Sequence, residues 1–379
     1  MTMIANWQRN RLTAKLGIDY PIIQGPLGGF ASQRLTAAVS NFGGLGSLGA
    51  LNLAPAAIQE VIAEIRSLTA KPFAINLWVS REDEGVRTSD ENAFNRSLAT
   101  LGGHFADLGV ARPTYKPYSA MRFEEQARAV LDARAPVFSF IYGIPPKEIL
   151  EECRAKNIVT LGTATTAEEA IALENAGVDA IVASGFEAGG HRGSFLRAAE
   201  DSLTGTFALV PQIVDAVDVP VIAAGGVGDA RGLIAALALG AEAVQMGTVF
   251  LGCEESGASR VHREALLEKQ AGRTGLTKGF TGRLARGIHN RLMEDLNRAG
   301  AEILPYPLQR GLVKHLSAAA EAAGRSDLLP MWAGQNANLS SCTNPQAFLK
   351  SLVEDVCEIA VTVEQWSANG RKKRIARGG

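Results

Sequence analysis

The stretch Val221-Ile222-Ala223-Ala224-Gly225-Gly226-Val227-Gly228-Asp229, followed by Ala243-Val244-Gln245-Met246-Gly247-Thr248, decides the fold. Each segment is a short apolar run that stops at glycine. Between them Asp229 stands where a helix N-cap belongs, apolar residues continue to Ala238, and Gly240 closes the turn. Strand, helix and strand at this spacing read as a βα unit, and such units build parallel sheets. The runs are too short and too evenly apolar for a sheet with one wet face. Burial on both faces is what a parallel barrel demands.

Outward from this unit the rhythm repeats. The earlier runs are Ile22-Ile23-Gln24, Leu45 to Leu48, Phe73 to Leu77, Val137 to Ile141, Ile158 to Leu161 and Ala180 to Ala183. With the two above they make eight strands, so the expected fold is α/β, a (β/α)8 TIM barrel. Helices fit between them. Ser32 caps one reaching about Ser40, and Pro55 opens one running to about Leu68 with Ile58, Val61, Ile62 and Ile65 on one face. Pro146 or Lys147 opens another, and Thr166 to Ala176 carries Glu168 and Glu169 in its first turn with Gly177 beyond its end.

Two stretches break the rhythm. Residues 80–122 are polar, with clustered charges early and Pro113 and Pro117 later, and are expected as an insertion after the third strand. Residues 251–379 are too many for one closing helix and are expected as a C-terminal extension covering the barrel mouth. Residues 1–379 would then form a single barrel domain, a length that barrels with insertions reach.

Composition narrows the function. The 379 residues are 46% hydrophobic, enough for a sizeable core, and 38 Lys and Arg against 39 Asp and Glu leave a net charge of −1. Such a chain has no electrostatic footprint for nucleic acid or an anionic membrane. Its basic cluster, Arg371 to Arg374, reads as a solvated tail. The first residues hold no secretory apolar stretch of about 7–15 residues, and no apolar run reaches the roughly 18 residues of a membrane span. Cys153, Cys253, Cys342 and Cys357 are far apart and form no CxxC pair, which reads as reduced thiols in a cytoplasmic protein. The five histidines do not group with ligand spacing, so no catalytic metal is expected.

Barrel enzymes place their chemistry at the C-terminal ends of the strands. After the seventh and eighth strands stand Gly225, Gly226 and Gly228, and then Gln245, Met246, Gly247 and Thr248. Glycines there let backbone N–H groups approach a phosphate closely. The first strand is followed by Gly25-Pro26-Leu27-Gly28-Gly29, whose proline and spacing argue against a dinucleotide turn. After the sixth strand comes Ser184-Gly185-Phe186-Glu187-Ala188-Gly189-Gly190-His191-Arg192-Gly193. His191, flanked by glycines in a loop, lies where a reacting group belongs, and an imidazole acts as a base near neutral pH. His104, His262, His289 and His315 are assigned to surface or packing. Asn76 interrupts the apolar third strand and needs a polar partner. Late in the chain Tyr306, Trp332 and Gln335 are candidates for walling a small-molecule pocket, with packing as the equal alternative.

Together these residues resemble the nitronate monooxygenase family, formerly 2-nitropropane dioxygenases, most strongly its class I members. The resemblance runs from Gln24-Gly25-Pro26 through Glu187-Ala188-Gly189-Gly190-His191-Arg192-Gly193 to Trp332-Ala333-Gly334-Gln335. It implies bound FMN, oxidation of alkyl nitronates by O2, and His191 as catalytic base toward neutral nitroalkanes. The partners it implies are a small nitro compound and O2. By position in the motifs, Gly25, Asn76, Ser184, Gly189, Gly190, Gly225, Gly226 and Gln245 to Thr248 would contact FMN. Family members often carry Gln where this chain has Ser184. The shorter hydroxyl reaches less far, so that contact is lost or bridged by water.

A second reading stays open: NAD(P)H-dependent reduction, as in the similar flavin enoyl-ACP reductases or quinone reductases. They share the phosphate loops and the glycine-flanked histidine. A flavin-binding protein without catalysis is a third, but a redox-inert barrel has no need of a solvent-reachable histidine there.

Overall fold

The computed structural model describes residues 6–79, 90–116, 121–339 and 343–359. The basic tail, Cys342 and the 80–89 and 117–120 parts of the expected insertion lie outside the described residues. Strands β1 (Ile22–Gln24), β2 (Gly46–Gly49), β3 (Phe73–Trp78), β4 (Val137–Ile141), β5 (Val159–Ala164) and β6 (Ala180–Ser184) come first. After β7 (Gly190–His191), which belongs elsewhere, follow β8 (Val221–Ala224) and β9 (Ala243–Met246), the seventh and eighth barrel strands. They form one parallel sheet in the order β1-β9-β8-β6-β5-β4-β3-β2. A bridge between Ile23 and Leu45 joins its two ends, with Gln24 N–H donating to Leu45 O and Leu45 N–H to Ile22 O, both at 2.9 Å. The sheet is therefore a (β/α)8 barrel.

Side chains alternate across each strand, so every strand feeds two apolar layers. Ile23, Ala74, Val137, Leu161, Ala180, Val182, Ile222 and Ala243 face inward and pack with Leu12 and Leu16 of the helix Arg11–Leu16. Ile22, Phe73, Ile75, Phe138, Phe140, Ile181, Val221, Val244 and Met246 face outward against the helices. Ser32 accepts from Leu35 N–H to cap Gln33–Phe42, Thr166 accepts from Glu169 N–H to cap Ala167–Asn175, and Asp229 caps Ala230–Ala238. Pro55–Leu68 and Lys147–Ala155 also form as expected. Phe123–Asp132 and Thr206–Val214 are further helices that the sequence pattern did not single out, the second carrying Pro211 inside it.

The strand ends differ from the expected ones in one direction. β3, β5 and β6 continue past Leu77, Leu161 and Ala183 to Trp78, Ala164 and Ser184. In β5 and β6 the apolar run ends sooner than the strand because the last inward positions, Thr163 and Ser184, are polar.

The two breaks in the rhythm meet. Helices Glu91–Thr100 and Gly102–Asp107 follow β3. Leu101 and Phe105 pack with Leu292, Leu296, Leu304, Leu312, Leu316 and Met331 in a second apolar cluster. Within it Ser97 Oγ donates to Gln309 Oε1 at 2.9 Å, a buried polar pair. The late segment also contains β10 (Thr274–Thr277) and β11 (Ala285–Ile288), which with β7 form an antiparallel sheet in the order β10-β11-β7. Among the described residues Cys153, Cys253 and Cys357 form no disulfide. No described helix is long and apolar enough to cross a membrane.

One glycine shows how closely this barrel packs. A Cβ on Gly46 in β2 would lie 1.9 Å from the carbonyl oxygen of Thr36 in the adjoining helix. Gly46→Ala must push helix and strand apart, at a cost of roughly 1–3 kcal/mol for overpacking. A lowered midpoint in urea unfolding is expected, and an unchanged midpoint would show that the helix does not sit this close.

Candidate active site

A cavity of about 560 Å3 opens at the C-terminal ends of the barrel strands, within the usual range for small-molecule sites. Its floor follows from strand alternation. One step beyond Ala74, Val137, Leu161 and Val182 the inward positions are Asn76, Ser139, Thr163 and Ser184, and Gln245 stands one step beyond Ala243. All five line the cavity, so the barrel interior turns from apolar to polar where it meets the site. Asn76 Nδ2 donates to Ser139 Oγ at 3.0 Å, which supplies the partner its burial requires.

Gly25, Gly225, Gly226, Gly228, Gly247 and Thr248 form one flank. Gly225 and Gly226 have φ of +105° and +73°, a left-handed backbone that favours glycine. Gly25 N–H donates to Met246 O at 2.7 Å, tying the first turn to the last. Met246 itself corrects an expectation. Alternation turns its side chain outward into the helix layer, and only its neighbours Gln245 and Gly247 reach the cavity. Gly189 and Gly190 line the opposite lip, where a Cβ on Gly189 would lie 2.5 Å from Gly334 N. Gly334 N–H donates to Thr248 Oγ1 at 2.9 Å, and Gln335 N–H to Glu187 O at 3.0 Å. The late Trp332-Ala333-Gly334-Gln335 segment thus plugs the gap between the loops after β6 and β9. Trp332 lines the cavity, whereas Gln335 is exposed and does not. Tyr306 is buried behind the wall, its ring 5.3 Å from Trp78 and 6.4 Å from His191.

His191 sits in β7, paired with Ala285 of β11, and lines the cavity. Its ring stands edge-on to Trp78 at 4.8 Å and is tilted against Trp332 at 5.1 Å. Nε2 is 2.8 Å from Thr281 Oγ1. Burial, and then the nearby guanidiniums of Arg283 and Arg310, push its pKa down to about 3. The imidazole is therefore neutral near neutral pH, the form that can accept a proton. Arg283 stacks over the rings of Tyr142 at 4.2 Å and Tyr306 at 4.4 Å, holding a cation beside the site by cation–π contact.

Two buried arginines hold the His191 loop. Arg192, 1% exposed, donates from Nη2 to Ser184 O at 2.9 Å and to Ser202 O at 3.2 Å, and from Nη1 to Gly185 O. Burial, then Arg286, lowers its pKa to about 10, so it still carries its charge. Arg286 donates from Nε to Phe186 O at 3.1 Å and stacks on the Phe186 ring at 4.3 Å. Glu187 accepts from Thr206 N–H and Oγ1–H at 2.8 Å and so caps the helix Thr206–Val214.

Sequence reasoning missed several wall residues. Trp78 was within reach of the alternation in β3. His262, assigned to surface or packing, does pack, with Nε2 3.0 Å from Trp332 O, and it also lines the cavity. Thr281, Arg310 and Lys314 come from the late segment, where no motif pointed to them, as does Arg283 beside the wall.

The sequence model of the nitronate monooxygenase family matches residues 9–357. A probable nitronate monooxygenase of Staphylococcus aureus (strain Newman) is 40% identical over 354 residues, 93% of this chain and 99% of that protein. Among solved structures, a nitroalkane oxidase from Streptomyces ansochromogenes superposes with a TM-score of 0.84 at 34% identity, covering 93% of this chain and 99% of that one. FabK from Thermotoga maritima superposes at 0.73 with 26% identity, covering 94% and 99%.

Arg192→Met removes the guanidinium donors from Ser184 O, Ser202 O and Gly185 O, of which Gly185 O keeps Ala188 N–H at 3.1 Å. Each unsatisfied group costs about 1–3 kcal/mol. A clear fall in the urea midpoint is expected, together with faster hydrogen exchange at residues 184–193. Wild-type exchange in that loop would show that Arg192 does not hold it.

Proposed function

The chain belongs to the nitronate monooxygenase family, and from that premise we propose that it oxidises alkyl nitronates with O2, using FMN, to a carbonyl compound and nitrite. The observation that carries this reading is His191: a neutral imidazole in the cavity wall, facing the same space as two glycine loops suited to a phosphate. A neutral nitroalkane needs its α-proton removed, and an unprotonated imidazole has a free lone pair to accept it. A nitronate already lacks that proton, and its negative charge is favoured near Arg283 and Arg310.

The residues present fit FMN. The cradle at Gly225 and Gly226 is one a side chain would fill, since a Cβ at Gly225 would lie 2.9 Å from Ala188 N and one at Gly226 would lie 3.3 Å from Glu187 Cβ. Gly225, Gly226, Gly228, Gly247 and Thr248 would hold its phosphate, and Gly25, Asn76, Ser184, Gly189, Gly190 and Gln245 the rest. When bound, FMN supplies the electron acceptor and the route to O2. The polypeptide contributes orientation, a proton acceptor and an aromatic wall of Trp78 and Trp332.

Two experiments test this. Purified protein should release a flavin of FMN mass on heating, and Gly226→Leu, forced to positive φ against Glu187, should lose flavin with an unchanged far-UV circular dichroism spectrum. Recovery of FAD, or full flavin occupancy in the variant, would remove the cradle assignment.

Activity is read by O2 uptake without pyridine nucleotide. A preformed nitronate should drive it and release nitrite, while NADH or NADPH alone leaves the flavin oxidised under anaerobic conditions. His191→Asn should keep its flavin and lose about 10²–10⁴-fold with a neutral nitroalkane, but much less with the nitronate. Rapid bleaching by NAD(P)H and none by nitronate would assign the chain to the reductases instead.

A further inference from the structure

One turn of the late segment that meets His191 is Thr281-Gly282-Arg283, between β10 and β11. Gly282 has φ +91°, and a Cβ there would lie 2.3 Å from Tyr306 N, so the turn is pressed against the segment carrying Tyr306. This fixes Thr281, 3% exposed, with its hydroxyl 2.8 Å from His191 Nε2. The same hydroxyl lies 3.3 Å from Arg283 O and accepts from Arg283 N–H at 3.3 Å.

A neutral imidazole carries one N–H, and this geometry discriminates between its two positions. With the proton on Nε2, His191 donates to Thr281 Oγ1, and the Thr281 hydroxyl donates onward to the Arg283 carbonyl. Every hydrogen in that chain has an acceptor. With the proton on Nδ1, the hydroxyl must turn to Nε2 and abandon the carbonyl, and Nδ1–H has no acceptor among the described residues. The first arrangement therefore keeps a hydrogen bond that the second gives up. We propose that Thr281 is a positioning residue that holds His191 as the Nε2–H tautomer, leaving the Nδ1 lone pair as the proton acceptor. The assignment rests on the reading of His191 as base. It names which nitrogen acts, and makes a threonine of the C-terminal extension part of what sets it.

The test uses the flavin-loaded enzyme labelled with 15N-histidine. Long-range 1H–15N correlation at neutral pH distinguishes a protonated from an unprotonated ring nitrogen, and the His191 signals are those absent from His191→Asn. Nε2 is expected protonated and Nδ1 unprotonated in the wild type and in Thr281→Ser, which keeps the hydroxyl. In Thr281→Val the two tautomers should mix. There kcat with a neutral nitroalkane should fall about tenfold or more, inside the 10²–10⁴ that a general base contributes. KM should change little and oxidation of a preformed nitronate should fall less. Thr281→Ser should recover most of the rate. A protonated Nδ1 in the wild type overturns the proposal, as does Thr281→Val with an unchanged tautomer and rate. If the tautomer is as expected but His191→Asn keeps full activity with neutral nitroalkanes, the base assignment fails while the positioning contact stands.

Discussion

The antiparallel pairing of Gly190–His191 with Ala285–Ile288 is the contact on which the rest of the site depends. Two paired residues bring a loop that leaves the sixth barrel strand against a segment almost one hundred positions later. Arg192 N–H adds a 2.9 Å bond to Leu284 O, and Ile288 N–H a 2.6 Å bond to Met331 O, so the pairing continues from the loop into the Trp332 segment. Without this short sheet the barrel would still close, because its own ladder is complete. The late part of the wall around His191 comes with it, since Thr281 and Arg283 directly precede β11 and Trp332 bridges to Gly287 within β11.

That wall sets the electrostatics. His191 is surrounded by Trp78, Trp332 and Tyr306 and lies near two guanidiniums, so burial and like charge act in the same direction on its proton affinity. Cations that disfavour imidazolium also favour an anionic guest, so one arrangement keeps the imidazole neutral and suits an anion. The loop bearing His191 is held from beneath by Arg192 and Arg286, whose donors go to main-chain carbonyls. Buried guanidiniums satisfy several acceptors at once in fixed geometry, which suits a loop with too many glycines to hold its own shape.

The same economy of placement explains why three separated motifs belong together. Gly189, Gly334 and Thr248 come from the loop after β6, the late segment and the loop after β9. Their backbones approach so closely that a methyl group on either glycine would collide with the other segment's main chain. A sequence that keeps glycine in one of these places has reason to keep it in the other.

The sequence by itself determined the barrel, since short runs buried on both faces need a parallel sheet between helices, and eight of them in βα rhythm match the closed form. It also pointed to the strand ends that line the cavity, because glycines, a loop histidine and an asparagine inside an apolar strand are costly unless a ligand or a partner explains them. Period-two alternation even contained the polar floor of Ser139, Thr163 and Gln245, and it contained the outward turn of Met246. What only the tertiary structure decided is which late residues reach the site. Thr281 and Arg283 sit in a turn whose local sequence carries no catalytic pattern, and Gln335 sits in a motif yet faces solvent. Their placement follows from packing between segments far apart in the chain. Such contacts depend on the shape of the whole closed surface, and no local periodicity encodes it.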